Sequence, residues 1–299
     1  MAMEKILLIG SSGYVGSYLS TVLPDALDVE LTTNDRRNLP TVLAPDLEGS
    51  HTDISTNNLQ AFDAVLFFAG LSSVRQAQDD PSATLQANCL ELLALASRLR
   101  PQQRLIYASS ASVYSTRMSS VGASGFPLSS ETSALPRPDN VYDASKSACD
   151  LSMTMLDRAV TGLRMGTVSG YSAGYRPELV FNAMVAKAKS GQPITLRNSG
   201  AWRAILHLED LAACVSGLLQ SELPAPPVLN VGSMNTTIGL LAERIASHLG
   251  VTVDEYPDVP TYNFALDFSL SRDYFTPAER TLEQHADLLA EKLTGRGIE

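Results

Sequence analysis

The sequence predicts an α/β fold, a doubly wound parallel sheet carrying a smaller C-terminal lobe. Three observations carry that prediction. The apolar run at residues 6–9 leads directly into Gly10, Gly13 and Gly16. Further short apolar runs at residues 29–33, 64–68 and 104–109 alternate with helical periods. The chain has 299 residues, enough for one large core with an attached lobe. Continuous apolar runs read as strands buried on both faces, and strands separated by helices imply right-handed crossovers within one parallel sheet.

The opening strand leads into the most specific local pattern. Gly10 permits a sharp turn, Gly13 lets backbone approach a pyrophosphate, and Gly16 lets the next helix pack on the strand. A helical pattern (Tyr14, Val15, Tyr18, Leu19, Val22) begins there, so free N–H groups and the helix dipole face one point. The implied ligand is a dinucleotide in a Rossmann arrangement, held by Gly10, Ser12, Gly13, Tyr14, Val15 and Gly16. Residues 81–100 form the clearest helix of the first half, with Asp80 as cap and Pro81 at its first position. Residues 115–133, rich in Ser and Gly, read as a long surface loop. Residues 228–231 read as a strand, 238–249 as a helix and 282–293 as the last helix, with Gly295 as its stop.

The end of the second strand selects between cofactors. An acidic residue there holds the adenosine ribose 2′-hydroxyl, whereas small residues followed by arginine suit a 2′-phosphate. If the strand ends at Thr33 or Asn34, neither is acidic, and Arg36 and Arg37 just beyond favour NADP. Asp35 keeps NAD open, because a shift of one residue puts a carboxylate at the ribose. Two arginines on a solvated loop fit the sequence equally well.

The chemistry comes from two further stretches. Tyr142 and Lys146 lie four apart at the start of a helical pattern (Tyr142, Ala148, Leu151, Met155), so they share a face. A phenol titrates near 10, and a fixed cation beside it favours the phenolate, making Tyr142 a usable acid or base for a sugar hydroxyl. The strand at 106–109 ends in hydroxyls, and Ser110 there can bond the same hydroxyl.

With these landmarks in order, the chain resembles the extended short-chain dehydrogenases/reductases, in the NAD(P)-dependent sugar epimerase/dehydratase family. The glycine motif is Gly10, Gly13 and Gly16; the adenine-side pair matches Asp53 and Ile54; the fourth-strand motif is Phe68, Ala69 and Gly70; and the helix asparagine is Asn88. The family serine falls on Ser110 and its YxxxK on Tyr142 and Lys146. The resemblance spans essentially the whole chain. It implies a cofactor domain at 1–167, completed by parts of 205–235, and a lobe at 168–299 that mainly binds substrate. It places Asn34, Arg36, Ala108, Lys146 and Met165 at NAD(P). It places Ser72, Ser110, Ser112, Asn182 and Arg203 at a nucleotide sugar, with Asn182 and Arg203 on its diphosphate. His207 and Asp210 read instead as structural hydrogen bonding and helix capping.

Two departures refine this. The acid pair that follows the serine in 4,6-dehydratases is Ala111 and Ser112 here, which argues against dehydration. A second diphosphate arginine is absent from residues 256–260, leaving the phosphate-bearing group open.

Composition bounds the remaining alternatives. A formal charge of -10 argues against nucleic acid or an anionic membrane as partner, so an anionic ligand must find local arginines. Three scattered cysteines read as reduced buried thiols, no metal site is expected, and no export signal or membrane span is evident. The expected protein is cytoplasmic, with a homodimer open. It is an oxidoreductase, foremost an NDP-sugar epimerase. The alternatives are an NADPH-dependent 4-keto-sugar reductase and a non-catalytic NAD(P)-binding redox regulator, the last disfavoured because a sensor needs none of Ser110, Tyr142 and Lys146.

Overall fold

A computed structural model describes residues 5–36, 44–115 and 127–294 of the chain. Its main sheet contains β1 (Lys5–Ile9), β2 (Glu30–Asp35), β3 (Leu47–Glu48), β4 (Ala64–Phe67), β5 (Arg104–Ser110), β6 (Val160–Met165) and β10 (Val228–Val231). All seven are parallel, in the order β10-β6-β5-β4-β1-β2-β3. The chain starts at β1, builds outward to β3, then returns to place β4 on the other side of β1. That reversal opens a crevice beyond the carboxyl ends of the strands.

Helices cover both faces. α1 (Tyr14–Leu27) and α8 (Leu208–Gln220) bury one apolar layer, including Leu19, Leu23, Leu211 and Val215. On the other face α2 (Thr56–Leu59), α3 (Val74–Asp79), α4 (Pro81–Leu85), α5 (Glu91–Arg98) and α6 (Val141–Thr154) follow in chain order, and Leu92, Leu95, Cys149 and Met153 fill the layer beneath them. A second core lies under α7 (Val180–Lys189), α9 (Ile238–Leu249) and α10 (Leu282–Thr294). Its strands are β7 (Thr167–Ser169), β8 (Ile194–Leu196), β9 (Trp202–His207), β11 (Met234–Thr237) and β12 (Val253–Glu255), in the orders β11-β9-β7 and β12-β8.

Several elements differ from the sequence reading. The helix expected at 81–100 is α4, a π-turn at Gln86–Leu90, and α5, which stops at Arg98. Asp80 and Pro81 do begin it, the Asp80 carboxylate accepting from Ala83 N–H at 2.9 Å. Asp210 caps no helix; its carboxylate accepts from Ala278 N–H at 2.8 Å. Most of the loop at 115–133, and Gly295, lie outside the described residues.

α6 departs most from its pattern. Leu151 and Met155, two of its periodic apolar residues, are 67% and 80% exposed, while Asp143, Ser145, Lys146 and Asp150 are buried. Burying charge costs several kcal/mol per ion unless partners replace water. Asp150 has them: Arg164 Nε donates to it at 2.8 Å and the Tyr107 hydroxyl at 2.9 Å. Removing one partner of such a pair strands the other charge, so Asp150→Ala should destabilise the protein by about 3–5 kcal/mol. Urea unfolding measures this, and a loss below about 1 kcal/mol would contradict the buried-pair account.

Candidate active site

The carboxyl ends of β1, β2, β4, β5 and β6 open onto one cleft of about 1090 Å³, lined among others by Gly10, Asp35, Phe68, Ser110 and Met165. Pockets for one small ligand span roughly 300–1,000 Å³, so this cleft has room for a large ligand or for two.

One end is the glycine turn. Gly10 has φ +92° and a Cβ there would lie 2.5 Å from Ala69 N, so only glycine fits. A Cβ on Gly16 would overlap the Gly10 carbonyl. Gly13 differs: a Cβ there would meet only the Gly10 carbonyl, at 3.2 Å, so its free face is turned to open space in the cleft. This is a cradle that a phosphate can enter, and Ser12, Tyr14 and Val15 line it too. The residues present therefore fit a dinucleotide.

The neighbouring strand ends one residue later than expected. β2 runs on to Asp35, not to Thr33 or Asn34. Asn34 lines the cleft through its backbone: its carbonyl accepts from Gly10 and Ser11 N–H, while its amide donates to the Leu47 carbonyl at 2.8 Å. Asp35 is buried, and its carboxylate accepts from Ser12 N–H at 2.9 Å, placing an anion beside the cradle. Arg36 also lines the cleft and is ion-paired with Glu91. Arg37 lies outside the described residues.

Two other expected contacts are also corrected. Asp53 is exposed and Ile54 packs into the core; His51, two residues earlier, lines the cleft instead. Asn88 is buried behind the wall, where its side chain accepts from Leu71 N–H and donates to Leu71 carbonyl and Ser145 Oγ. It shapes the stretch after Phe68, Ala69 and Gly70, all three of which line the cleft.

At the middle of the cleft, α6 meets the end of β5. Asn140 caps α6, its side-chain oxygen accepting from Asp143 N–H at 2.9 Å, and this fixes the first turn. One turn on, Lys146 donates from Nζ to the Ala108 carbonyl at 2.7 Å and stands 5.9 Å from the Tyr142 ring centroid. Tyr142, Lys146, Ala108, Ser110, Ser112 and Met165 all line the cleft. Ser110 Oγ lies 2.7 Å from Ser112 Oγ, which donates to the buried Asp143 carboxylate at 2.5 Å. Burial raises the Asp143 carboxyl, while hydrogen bonds from Ser112 and Asn140 oppose that rise.

The far end is built by β9 and the segment after β12. Arg203 is buried, donates to the Trp202 carbonyl at 2.9 Å and Thr261 Oγ1 at 2.7 Å, and lies against the rings of Tyr262 and Phe264. Among the described residues no carboxylate pairs with it, and burial lowers its pKa to about 10. Asn182 is buried away from the cleft, bonding Gly170 N–H, the Tyr14 hydroxyl and the Arg176 carbonyl. From that same stretch it is Arg176 that reaches the cleft, donating to Ser72 Oγ at 2.9 Å and pairing with Glu178. Arg176, Tyr262 and His51 carry no local motif; they enter the site through contacts between distant segments.

A switch-point cleft that joins a glycine cradle to a Ser-Tyr-Lys set defines a dinucleotide-dependent fold of the short-chain dehydrogenase/reductase type. The chain belongs to the NAD dependent epimerase/dehydratase family, whose model matches residues 6–232. It is 25% identical over 288 residues to UDP-glucuronate 4-epimerase 1 of Arabidopsis thaliana, covering 83% of this chain and 65% of that protein. It is 27% identical over 179 residues to UDP-glucose 4-epimerase of Corynebacterium glutamicum, covering 56% and 52%. The chain thus spans about half to two thirds of the length of these curated relatives. Among solved structures, an NAD dependent NDP-hexosamine 5,6-dehydratase of tunicamycin biosynthesis superposes with TM-score 0.80 at 21% identity, covering 99% of both chains. A Tyr-to-Phe mutant of UDP-glucuronic acid 4-epimerase of Bacillus cereus, in complex with UDP-4-deoxy-4-fluoro-glucuronic acid and NAD, gives TM-score 0.78 at 19% identity, covering 97% of this chain and 99% of that one. These structural likenesses establish the fold.

An unpaired buried cation is a stability cost, and Arg203 therefore separates structure from function. Arg203→Met keeps the stem volume and removes the charge, so it should leave the melting temperature unchanged or higher while weakening binding of UDP strongly. Differential scanning fluorimetry and calorimetric titration with UDP on one preparation check this. A destabilised protein with unaltered UDP affinity would assign Arg203 to the fold alone.

Proposed function

We propose that this protein is an NAD-dependent epimerase of a nucleotide-activated sugar. The observation that carries this reading is the convergence of Ser110, Tyr142 and Lys146 in one cleft between the glycine cradle and Arg203. The cradle at Gly10, Gly13 and Gly16 holds the pyrophosphate of NAD, Asp35 holds the adenosine ribose, and Lys146 the nicotinamide ribose. When bound, NAD would accept the hydride from the sugar carbon and give it back to the opposite face of the keto-sugar, with no net redox change. Tyr142 takes the proton of the sugar hydroxyl as the carbon is oxidised and returns it after the keto-sugar presents its other face. Lys146 keeps a cation beside the Tyr142 ring, Ser110 bonds the reacting oxygen, and Arg203 holds the diphosphate.

Asp35 also weighs between the outcomes. A carboxylate next to the cradle repels a 2′-phosphate, which disfavours an NADPH-dependent ketoreductase. Dehydration lacks support, since Asp143, the carboxylate that Ser112 bonds, lies behind it rather than facing the cleft. The relatives named for UDP-glucuronate and UDP-glucose epimerisation make UDP-sugars the substrates to test first.

Leu85 and Leu90, next to α6, Leu151 on it and Met155 at its C-terminal cap are exposed, which supports docking of a second copy across these helices. Among the described residues no helix is long and apolar enough to cross a membrane, consistent with a cytoplasmic enzyme.

Tyr142→Phe deletes only the phenolic oxygen, so turnover of a UDP-sugar should fall by about 10²–10⁴ while NAD affinity changes little. Wild-type turnover in that variant, followed by NMR of the anomeric protons of the two epimeric sugar nucleotides, would remove the mechanism. Asp35→Ser should shift cofactor preference toward NADP by at least about tenfold, since charge-assisted bonds contribute roughly 1.5–3 kcal/mol. Equal losses for NAD and NADP would show that Asp35 serves only the glycine turn.

A further inference from the structure

Asp143 is one residue from Tyr142, yet its carboxylate does not line the cleft. It is buried and surrounded by donors. Ser112 Oγ donates to its Oδ1 at 2.5 Å, Asn140 Nδ2 to its Oδ2 at 2.6 Å, and the Tyr262 hydroxyl reaches Oδ1 at 3.4 Å. Asn140 Nδ2 also stands 3.2 Å from the Tyr262 hydroxyl, closing a small network. Ser110 Oγ completes the line, 2.7 Å from Ser112 Oγ and accepting from Ser112 N–H at 3.3 Å.

Proton counting gives this line a direction. An ionised carboxylate only accepts, and a serine hydroxyl has one proton to give. Ser112 gives its proton to Asp143, so between the two serines Ser110 must be the donor and Ser112 the acceptor. Ser110 thereby keeps a hydroxyl proton to give, and that proton has two acceptors to choose from: Ser112 Oγ and the substrate oxygen. When Tyr142 draws off the substrate proton, negative charge grows on that oxygen and it becomes the better acceptor. The Ser110 bond then strengthens in the transition state more than in the ground state, which is what lowers a barrier.

From this geometry we infer that Asp143 is a positioning residue, which acts through Ser112 to set the hydrogen-bond direction of Ser110. The inference rests on the epimerase reading above. Asp143→Asn tests it sharply because the surroundings dictate how the amide must sit. Asn140 Nδ2 donates to one side, so the amide oxygen faces Asn140 and the NH₂ faces Ser112. The bond to Ser112 is reversed, Ser112 turns its proton to Ser110, and the preference of Ser110 for the charged state is lost.

The experiment measures kcat and KM for Asp143→Asn, Ser112→Ala, the double variant and Tyr142→Phe. The probe is whichever of UDP-glucose, UDP-N-acetylglucosamine and UDP-glucuronic acid the wild-type protein epimerises, and melting temperature is followed in parallel. Asp143→Asn should lower kcat about tenfold, less than the roughly 10²–10³ seen when an oxyanion donor is deleted outright, with KM within about twofold. The double variant should be no slower than Ser112→Ala. Unchanged kcat in Asp143→Asn, or losses that multiply in the double variant, overturns the inference while an inactive Tyr142→Phe keeps the epimerase reading. An active Tyr142→Phe, or a wild-type protein inactive on all three sugars, removes the epimerase reading and this inference with it. If Asp143→Asn does not fold, Ser112→Ala decides alone, since it cuts the line without touching the α6 cap: normal kcat there overturns the proposal.

Discussion

The turn at the exit of β1 is the constraint on which the rest of the molecule depends. β1 is hydrogen-bonded on both sides, to β2 and β4, and its last residues have nowhere to go but into a turn tight enough to bring Gly10 against Ala69 and Gly16 against Gly10. The Asn34 carbonyl holds the Gly10 and Ser11 amides, and Asp35 holds that of Ser12. The turn is thus fastened from the strand on its β2 side and pressed from the one on its β4 side. Because all but the Asp35 contact are made by backbone, the open space over Gly13 is set largely by the sheet itself. The second core is tied to the same point: Ser172 Oγ donates to the Tyr14 carbonyl, and a Cβ on Gly174 would lie 2.8 Å from Gly13.

α6 shows how a helix can carry a reactive face. Its buried side holds Asp143, Ser145, Lys146 and Asp150, and each has a partner: Ser112, the Tyr142 carbonyl, the Ala108 carbonyl and Arg164. A buried polar group is tolerated only when hydrogen bonds replace those it loses with water. The partners come mainly from β5, β6 and the turn after β5, so the polar face also aligns α6 on the sheet. Leu151 and Met155 are left outside as a consequence, on a face free to meet another surface.

Arg203 has the opposite character. It is held by a backbone carbonyl, one hydroxyl and two aromatic rings, none of which balances its charge. In a protein of net charge -10, a cation that no carboxylate pairs with among the described residues, at the far end of the cleft, supports the proposal that an anionic group binds there.

Much of this was legible in the sequence, because it depends on local spacing. The apolar runs, the three glycines, the Asp80-Pro81 helix start and the four-residue interval between Tyr142 and Lys146 are properties of neighbouring residues, and neighbouring residues decide strand, turn and helix face. The choice between Asp35 and Arg36 was not legible, since it turns on a one-residue difference in where β2 ends and on Glu91, which is 55 positions away from Arg36. Nor could spacing tell that Asn182 would be drawn inward by Tyr14 and Gly170 while Arg176 faces the cleft, or that Asp143 would anchor Ser112. Those assignments were decided by the tertiary structure, because a polar side chain goes to the partner that satisfies it once water is excluded, and here the partners lie on other strands and helices.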